Sequence, residues 1–142
     1  TFDNRANGFV PGEGVGVVVL KSLQAALRDG DHIYGVVRSS GTNQDGRTNG
    51  ITAPSTISQT ELELAVYRKG DINPETISFV EAHGTGTKLG DPIEIEALTN
   101  AFKHAFPSGA RGGLNTRRTI LLPFARMGGL CARSAPRPSC SS

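Results

Sequence analysis

The sequence lacks long apolar runs, and it has only two cysteines in 142 residues. No run approaches the roughly 20 apolar residues that a membrane-spanning helix needs, and no basic, apolar, small-residue pattern marks an N-terminal secretory signal. Two cysteines give no disulfide framework, and no Cys/His spacing is typical of a zinc site. We therefore expect a cytoplasmic protein with no bound metal and no membrane partner.

Acidic residues are also missing, but only from one end of the chain. Residues 107–142 contain six arginines and no Asp or Glu, so this tail carries a charge of +6 and the remainder −4, although the net charge is only +2. The tail is rich in Arg, Gly, Pro and Ser. An RNA-binding tail would explain the arginines, but aromatic residues do not interleave with them and no binding-fold signature is present. We therefore expect no nucleic-acid partner.

Strand and helix patterns alternate before this tail. They predict strands at 17–21, 33–37 and 77–81, and helices at 22–28, 58–69 and 92–102. Ser22 and Gly30 are the expected cap and stop of the first helix, and Ser58 with Glu61 forms a capping box for the second, which Gly70 ends. The alternation predicts an α/β fold with parallel crossovers, and 142 residues suffice for one modest domain.

The packing faces follow from helical spacing. We expect the helix at 58–69 to pack through Leu62, Ala65, Val66 and the stem of Lys69. The apolar stripe of the helix at 92–102 consists of Ile93, Ala97, Leu98, Ala101 and Phe102. The strand at 17–21 is apolar from Val17 to Leu20, which predicts burial on both faces.

Two loops have competing interpretations. Three glycines at 12, 14 and 16 indicate a tight turn or close backbone packing. A phosphate-binding loop is the alternative, but no helix start with Lys-Ser/Thr follows at the required spacing. The polar loop at 39–55 is long enough to be functional or disordered. Its other interpretation is a pair of Asp-Gly and Asn-Gly turns held by local hydrogen bonds.

The stretch at 80–94 carries the strongest chemical signal. His83, Thr85 and Thr87 alternate with two glycines. In an extended loop, alternate side chains point the same way, so one imidazole and two hydroxyls would line one wall. The glycines would let the backbone approach a ligand closely. The loop joins the carboxyl end of a strand to a helix start, where open α/β sheets usually place chemistry. Asp91 and Glu94 are explained as that helix's cap and capping-box partner.

This stretch resembles the β-ketoacyl synthases, most closely the ketosynthase domains of modular polyketide synthases. The matching residues are His-Gly-Thr-Gly-Thr at 83–87, Gly-Asp-Pro at 90–92 and Glu94. Similar family runs are Gly-Glu-Gly-x-Gly-Val-Val-Val-Leu-Lys at 12–21 and Asn-Gln-Asp-Gly-Arg-x-Asn-Gly-x-Thr-Ala-Pro at 43–54. The resemblance implies a thiolase-like fold of α-β-α-β-α layers. Residues 1–106 would be a partial ketosynthase domain that spans the end of its first half and the start of its second.

The resemblance also implies an activity and its partners. The family performs decarboxylative Claisen condensation of acyl and malonyl thioesters in polyketide or fatty acid biosynthesis. It binds no cofactor directly, because the substrates travel on the phosphopantetheine arm of an acyl carrier protein. His83 would be one of two histidines that act with a cysteine, Thr85 and Thr87 would contact the arm, and Asp91 and Glu94 would be structural. Further implied partners are other polyketide synthase domains and, for the intact domain, a second copy in a homodimer.

The sequence departs from the family pattern after residue 106. The expected Lys-x-Asn-x-Gly-His motif, which brings the second histidine, is absent. We therefore predict that residues 107–142 are out of frame or disordered, and that the chain, which starts without Met, is a fragment. Cys140 has a nucleophile-like context, but no helix can follow it, so we interpret both cysteines as non-catalytic. His104 suits the C-terminal end of a helix dipole, and His32 looks like an exposed turn residue.

These departures leave two functional classes open. The chain is either an inactive fragment of a condensing enzyme or a non-catalytic module of the same fold that binds the carrier protein. Thiolases are a third relative, but they use different local motifs around their histidines.

Overall fold

The computed structural model describes residues 1–48, 50 and 53–105, together with the backbone of two short strands at 121–123 and 132–133. The elements in chain order are α1 (Leu23–Asp29), β1 (Val36–Val37), α2 (Thr56–Lys69), a 3-10 turn (Pro74–Thr76), β2 (Val80–Ala82), α3 (Gly90–Ala105), β3 (Leu121–Pro123) and β4 (Ala132–Arg133).

The ends of α1 are set by the two residues that the sequence predicts. The Ser22 hydroxyl accepts a hydrogen bond from the Ala25 amide at 3.3 Å. Gly30 takes a left-handed φ of 70°, and its amide bonds back to the last carbonyls of the helix. A side chain at this φ would be strained, so glycine is the natural stop.

The start of α2 corrects one predicted cap. The helix begins at Thr56, and Ser55 is its N-cap, with a hydroxyl that accepts from the Ser58 amide at 3.2 Å. Ser58 itself lies inside the first turn, and its hydroxyl donates to the Asp45 carbonyl. The capping box at Ser58 is therefore wrong, because an equally good cap three residues earlier adds almost one more turn to the helix.

The described core lies between α2 and α3. Ala97, Leu98 and Ala101 of α3 are buried, as the predicted stripe requires. On α2, Val66 is buried as expected, but Ala65 is exposed and Tyr67 is buried instead. Tyr67 packs edge-on against the Phe102 ring, with ring centroids 6.2 Å apart. The small alanines let the two helices approach, and the aromatic pair adds an edge-on contact between them.

The described strands form two pairs. β2 is parallel to β3, with Val80 opposite Leu121, and α3 connects them in sequence. This unit is a parallel crossover, but β3 is not among the predicted strands, and the described sheets pair none of the strands predicted at 17–21, 33–37 and 77–81 with one another. β1 is antiparallel to β4. Both β3 and β4 lie within the basic tail, whose origin stays a prediction, and Cys131 and Cys140 lie outside the described residues.

The predicted strand at 17–21 is not observed. This segment has neither helix nor strand, and the exposed fractions of its apolar side chains include 86% for Val17 and 93% for Val19. The glycines before it are not packed either, since a Cβ added at residue 12, 14 or 16 would meet no atom within 4 Å. A strand needs a neighbour for its backbone groups, and the described residues supply none at this place.

No helix in the described part of the chain combines the length and apolar character that crossing a membrane demands.

The helix pair gives a stability prediction. Leu98 is 3% exposed, so Leu98→Ala leaves a cavity and should lower the free energy of unfolding by about 2 to 5 kcal/mol. Ile57 on α2 is 72% exposed, so Ile57→Ala serves as the control and should change this quantity little. Urea unfolding followed by circular dichroism measures both. Equal stability losses in the two variants would contradict this core.

Candidate active site

The loop between β2 and α3 is turned rather than extended. Gly84 and Gly86 take left-handed φ values of 52° and 73°. The expected alternation of an extended loop is therefore wrong in its geometry. These two φ values are strained for any residue with a Cβ, which explains why both positions are glycine.

The same glycines make room for the protein's own backbone. A Cβ on Gly86 would lie 2.8 Å from the Gly8 carbonyl oxygen, and the Gly8 amide donates to the Gly86 carbonyl at 2.9 Å. A Cβ on Gly84 would lie 3.0 Å from the Phe2 ring. The N-terminal segment (residues 1–8) thus packs on the loop. The close approach expected of a ligand is made, within the described residues, by this segment.

The two threonine hydroxyls lie side by side. Thr85 Oγ1 and Thr87 Oγ1 are 2.9 Å apart, within hydrogen-bond distance. Thr87 Oγ1 also accepts from the Gly90 amide at 2.8 Å, which caps the start of α3. The two hydroxyls therefore lie together although the loop is not extended, and their role in binding stays a prediction.

The two carboxylates on the first turns of α3 hold the loop. Glu94 accepts the His83 amide at 2.6 Å through Oε1 and the Gly84 amide at 2.9 Å through Oε2. Asp91 is buried and accepts the Gly86 amide at 2.9 Å and the Phe2 amide at 2.6 Å. Their structural role matches the prediction, but the capping-box partners do not. Because the helix already begins at Gly90, both side chains point their oxygens at the loop amides.

His83 follows β2 directly and is exposed. Its backbone position is fixed through the bond from its amide to Glu94. The other two histidines lie where the sequence places them. His32 is exposed beside the Tyr34 ring, and His104 is in the last turn of α3. The catalytic role of His83 stays a prediction.

Described residues of the polar loop at 39–55 are tied to α2. The Asn43 side-chain amide donates to the Ser58 carbonyl at 2.6 Å, and the Lys69 ammonium donates to the Ser40 carbonyl at 3.2 Å. An open cavity of about 460 Å³ lies between this loop and α2. Its lining consists of Ser40, Gly41, Thr42, Leu62, Ala65, Val66 and Lys69. These contacts are structural, but they reach α2 and are not the local hydrogen bonds of the predicted turns.

One carboxyl group between the two long helices has an altered pKa. Burial raises the pKa of Glu63 above its ordinary value of 4.5, and the Glu94 carboxylate raises it further. The hydroxyl of Tyr67 opposes this shift, because it donates to Glu63 at 2.8 Å and so favours the charged form. The described residues contain no group of three or more His, Cys, Asp or Glu side chains that could hold a metal ion.

The sequence reasoning missed the contact of residues 2 and 8 with the loop. These residues lie far from the loop in sequence, so no local signal reveals the contact. The glycine at residue 86 is the only hint, since it indicates that something approaches the backbone there.

Two domain models of one enzyme family match the chain. The model described as "Beta-ketoacyl synthase, C-terminal domain" matches residues 34–111, more than half of the chain. The chain belongs to the β-ketoacyl synthase family. The model "Beta-ketoacyl synthase, N-terminal domain" matches residues 1–26. The predicted family is therefore confirmed, and so is the prediction that the chain spans the end of one half and the start of the other.

Curated relatives of this β-ketoacyl synthase chain are polyketide synthases. Polyketide synthase PksL of Bacillus subtilis is 64% identical over 102 residues, which cover 72% of this chain and 2% of the relative. A phenolphthiocerol/phthiocerol polyketide synthase polypeptide of Mycobacterium tuberculosis is 54% identical over 115 residues, which cover 81% of this chain and 8% of the relative.

Solved ketosynthase structures share the fold. The ketosynthase from module 6 of the bacillaene synthase of Bacillus subtilis is 62% identical, with a TM-score of 0.72 over 73% of this chain. The module 1 ketosynthase of the bacillaene synthase of Bacillus amyloliquefaciens is 50% identical, with a TM-score of 0.71. The chain covers 19% of each of these structures. The predicted α/β fold class, a fragment of the thiolase-like ketosynthase fold, is confirmed.

The Glu94 contacts predict a local change in loop protection. The Gln side chain has a single carbonyl oxygen, so in Glu94→Gln at most one of the His83 and Gly84 amides keeps its acceptor. We expect faster amide hydrogen exchange at one or both of these residues, measured by NMR. Glu96→Gln, on the exposed side of the same helix, is the control and should leave both rates unchanged. Equal exchange rates in all three proteins would contradict the assigned bonds.

The Glu63 pKa predicts how stability varies with pH. A raised pKa in the folded chain means that folding favours the protonated acid. Its contribution is therefore present below the unfolded pKa and is lost as the pH rises through the folded pKa. Glu63→Gln should remove this loss, so its free energy of unfolding should fall less between acidic and neutral pH than that of the unchanged chain. Urea unfolding at a series of pH values, with the exposed Glu61→Gln as control, measures the difference. Parallel pH profiles for both variants would exclude the effect.

Proposed function

We propose that this chain is part of a ketosynthase that condenses acyl and malonyl thioesters, carried on acyl carrier proteins, in polyketide biosynthesis. The observation that carries the proposal is the His83–Thr87 loop, whose backbone is held by three carboxylate oxygens of α3 and whose first residue is an exposed histidine. The polyketide synthase relatives support the pathway.

We assign to His83 the stabilisation of the charged intermediate. When a malonyl thioester loses CO2, negative charge develops on the thioester oxygen of the resulting enolate. An imidazole N–H at a fixed position stabilises that charge without reorganising. The bond from the His83 amide to Glu94 fixes the backbone from which the ring projects.

We assign to Thr85 and Thr87 the binding of the pantetheine arm. Each hydroxyl has one proton to donate and two lone pairs. The bond between the two hydroxyls uses one proton, and the Gly90 amide uses one lone pair of Thr87. The Thr87 amide also donates to Thr85 Oγ1 at 3.4 Å, so one hydroxyl proton and one lone pair stay available for the amide groups of the arm, which orients the thioester towards His83.

The chain by itself supplies only half of this pocket. Its two cysteines follow residue 130, and it has no Lys-x-Asn-x-Gly-His motif for a second histidine. Covalent capture of the acyl group needs a cysteine nucleophile. We therefore expect the isolated 142-residue chain to be inactive. The carrier protein, other polyketide synthase domains and a second ketosynthase copy are the proposed partners of the intact domain.

The alternative is a non-catalytic module that binds the carrier protein. One observation favours it: the paired threonine hydroxyls are in place.

Carrier binding tests the role of the threonine pair. Thr85→Val removes one hydroxyl and should weaken binding of a phosphopantetheinylated carrier protein roughly fivefold to tenfold, because one hydrogen bond contributes about 1 kcal/mol. Isothermal titration calorimetry measures the dissociation constant. Thr76→Val, on the exposed turn before β2, is the matched control. Unchanged affinity in Thr85→Val would contradict the assignment.

Carbon dioxide release tests whether the isolated chain is inactive. We expect no carrier-dependent CO2 release from malonyl substrate by the isolated chain, whether or not it binds the carrier. Turnover that His83→Ala abolishes would show that the chain is active alone.

A further inference from the structure

One aromatic residue outside the His83 loop has a strained backbone. Phe2 takes a left-handed φ of 53°, and Asp71 is the only other described residue besides glycine with a positive φ. Asp adopts this conformation fairly often, whereas a bulky side chain rarely does. Strained residues persist only where the contacts around them hold them, and they cluster at functional sites. The contacts of Phe2 therefore indicate what its strain serves.

Phe2 is held at its main chain and at its ring. Its amide donates to the Asp91 carboxylate at 2.6 Å, and Asp91 is buried. A hydrogen bond to a charged acceptor is stronger than one between neutral groups. At the other end of the residue, the ring atoms Cε2 and Cζ lie 3.0 Å and 3.4 Å from the place that a Cβ on Gly84 would occupy.

Gly84 is thus held from two directions. Its amide donates to Glu94 Oε2 at 2.9 Å. The Phe2 ring covers the side on which any other residue would carry its side chain. Glycine is conformationally permissive, so a hydrogen bond at its amide alone would leave it other geometries. The ring restricts what this bond leaves open.

Gly84 directly follows His83, and this order connects the ring to the imidazole. The rotamers open to a side chain depend on the φ and ψ of its own residue. His83 is exposed, and its main chain lies between the last residue of β2 and Gly84. A shift of Gly84 therefore changes the direction in which the imidazole points.

We propose that Phe2 is a positioning residue for His83, whose ring keeps the imidazole in place by packing on Gly84. The catalytic role of His83 rests on the proposed function, whereas the mechanical coupling of Phe2 to His83 does not.

The coupling joins the two parts of the family fold. Phe2 lies in residues 1–26, which match the N-terminal domain model, and His83 lies in residues 34–111, which match the C-terminal domain model. One part of the fold would therefore set the geometry of the candidate catalytic residue in the other.

A second contact attaches the same segment to the loop independently of the ring. The Gly8 amide donates to the Gly86 carbonyl at 2.9 Å, and a Cβ on Gly86 would lie 2.8 Å from the Gly8 carbonyl oxygen. Removal of the Phe2 ring should therefore leave the N-terminal segment attached, so that the effect of the ring can be measured by itself.

The first experiment measures amide hydrogen exchange by NMR in the full 142-residue chain. In Phe2→Ala, the amides of His83 and Gly84 should exchange about tenfold faster or more, because the loop opens locally. The amides of the buried residues Leu98 and Ala101 in α3 should keep their rates. A general loss of stability would instead accelerate the core amides as well, and this result would contradict a positioning role.

The second experiment observes the imidazole itself. The three-bond couplings between the Hα and Hβ protons of His83 report the populations of its χ1 rotamers. We expect these populations to change in Phe2→Ala. Phe2→Leu keeps an apolar side chain on Gly84, so its couplings and exchange rates should lie closer to those of the unchanged chain.

The matched control removes the same kind of ring a few residues away. Phe9 is 71% exposed, so Phe9→Ala should leave the exchange rates and the couplings unchanged. The proposal is overturned if His83 and Gly84 behave alike in Phe2→Ala and in the unchanged chain, or if Phe9→Ala has the same effect as Phe2→Ala.

Carrier binding distinguishes a failure of this inference from a failure of the proposed function. If Phe2→Ala loosens His83 while Thr85→Val binds the carrier protein as tightly as the unchanged chain, the positioning role stands and the proposed function does not. If Thr85→Val weakens binding while Phe2→Ala leaves His83 and Gly84 unchanged, the positioning role is wrong and the proposed function stands.

Discussion

The structure around the candidate site depends on two carboxylates that accept backbone amides. Asp91 and Glu94 together direct four oxygens at four N–H groups, three in the His83 loop and one at residue 2. Both lie near the N-terminal end of α3, where the helix dipole favours negative charge. Burial of Asp91 is tolerated because its charge is fully hydrogen-bonded. One helix end thus fixes a loop and a distant segment at the same time.

This arrangement explains how a loop rich in glycine can present side chains in fixed positions. Glycine is conformationally permissive, so the loop would otherwise sample many geometries. The bound amides at residues 83, 84 and 86 select one of them. In that geometry the two threonine hydroxyls meet, and the imidazole lies on the exposed side. The loop is thus preorganised by bonds to its backbone, independently of what its side chains contact.

Features with local causes could be predicted from the sequence, and features that depend on distant partners could not. Ser22 and Gly30 bound α1 as expected because a cap and a left-handed stop act within a few residues. The motif at 83–87 identified the family and the paired hydroxyls. The prediction of a strand at 17–21 was wrong because a β-strand requires a neighbouring strand, which the pattern of one segment cannot specify. The prediction of hydrogen-bond partners for Asp91 and Glu94 was wrong for a similar reason. An amide of the helix start and an amide of a distant segment compete for the same carboxylate oxygen, and the sequence does not show which one is bound.

The bond between the Phe2 amide and Asp91 has a consequence for biosynthesis. It joins positions 89 residues apart in the chain. On a ribosome the N-terminal segment emerges early, yet its acceptor does not exist until translation has passed residue 91. The segment therefore cannot form this hydrogen bond until α1, α2 and the start of α3 have been synthesised. Closing so long a loop costs conformational entropy, which the later contacts at residues 84 and 86 offset.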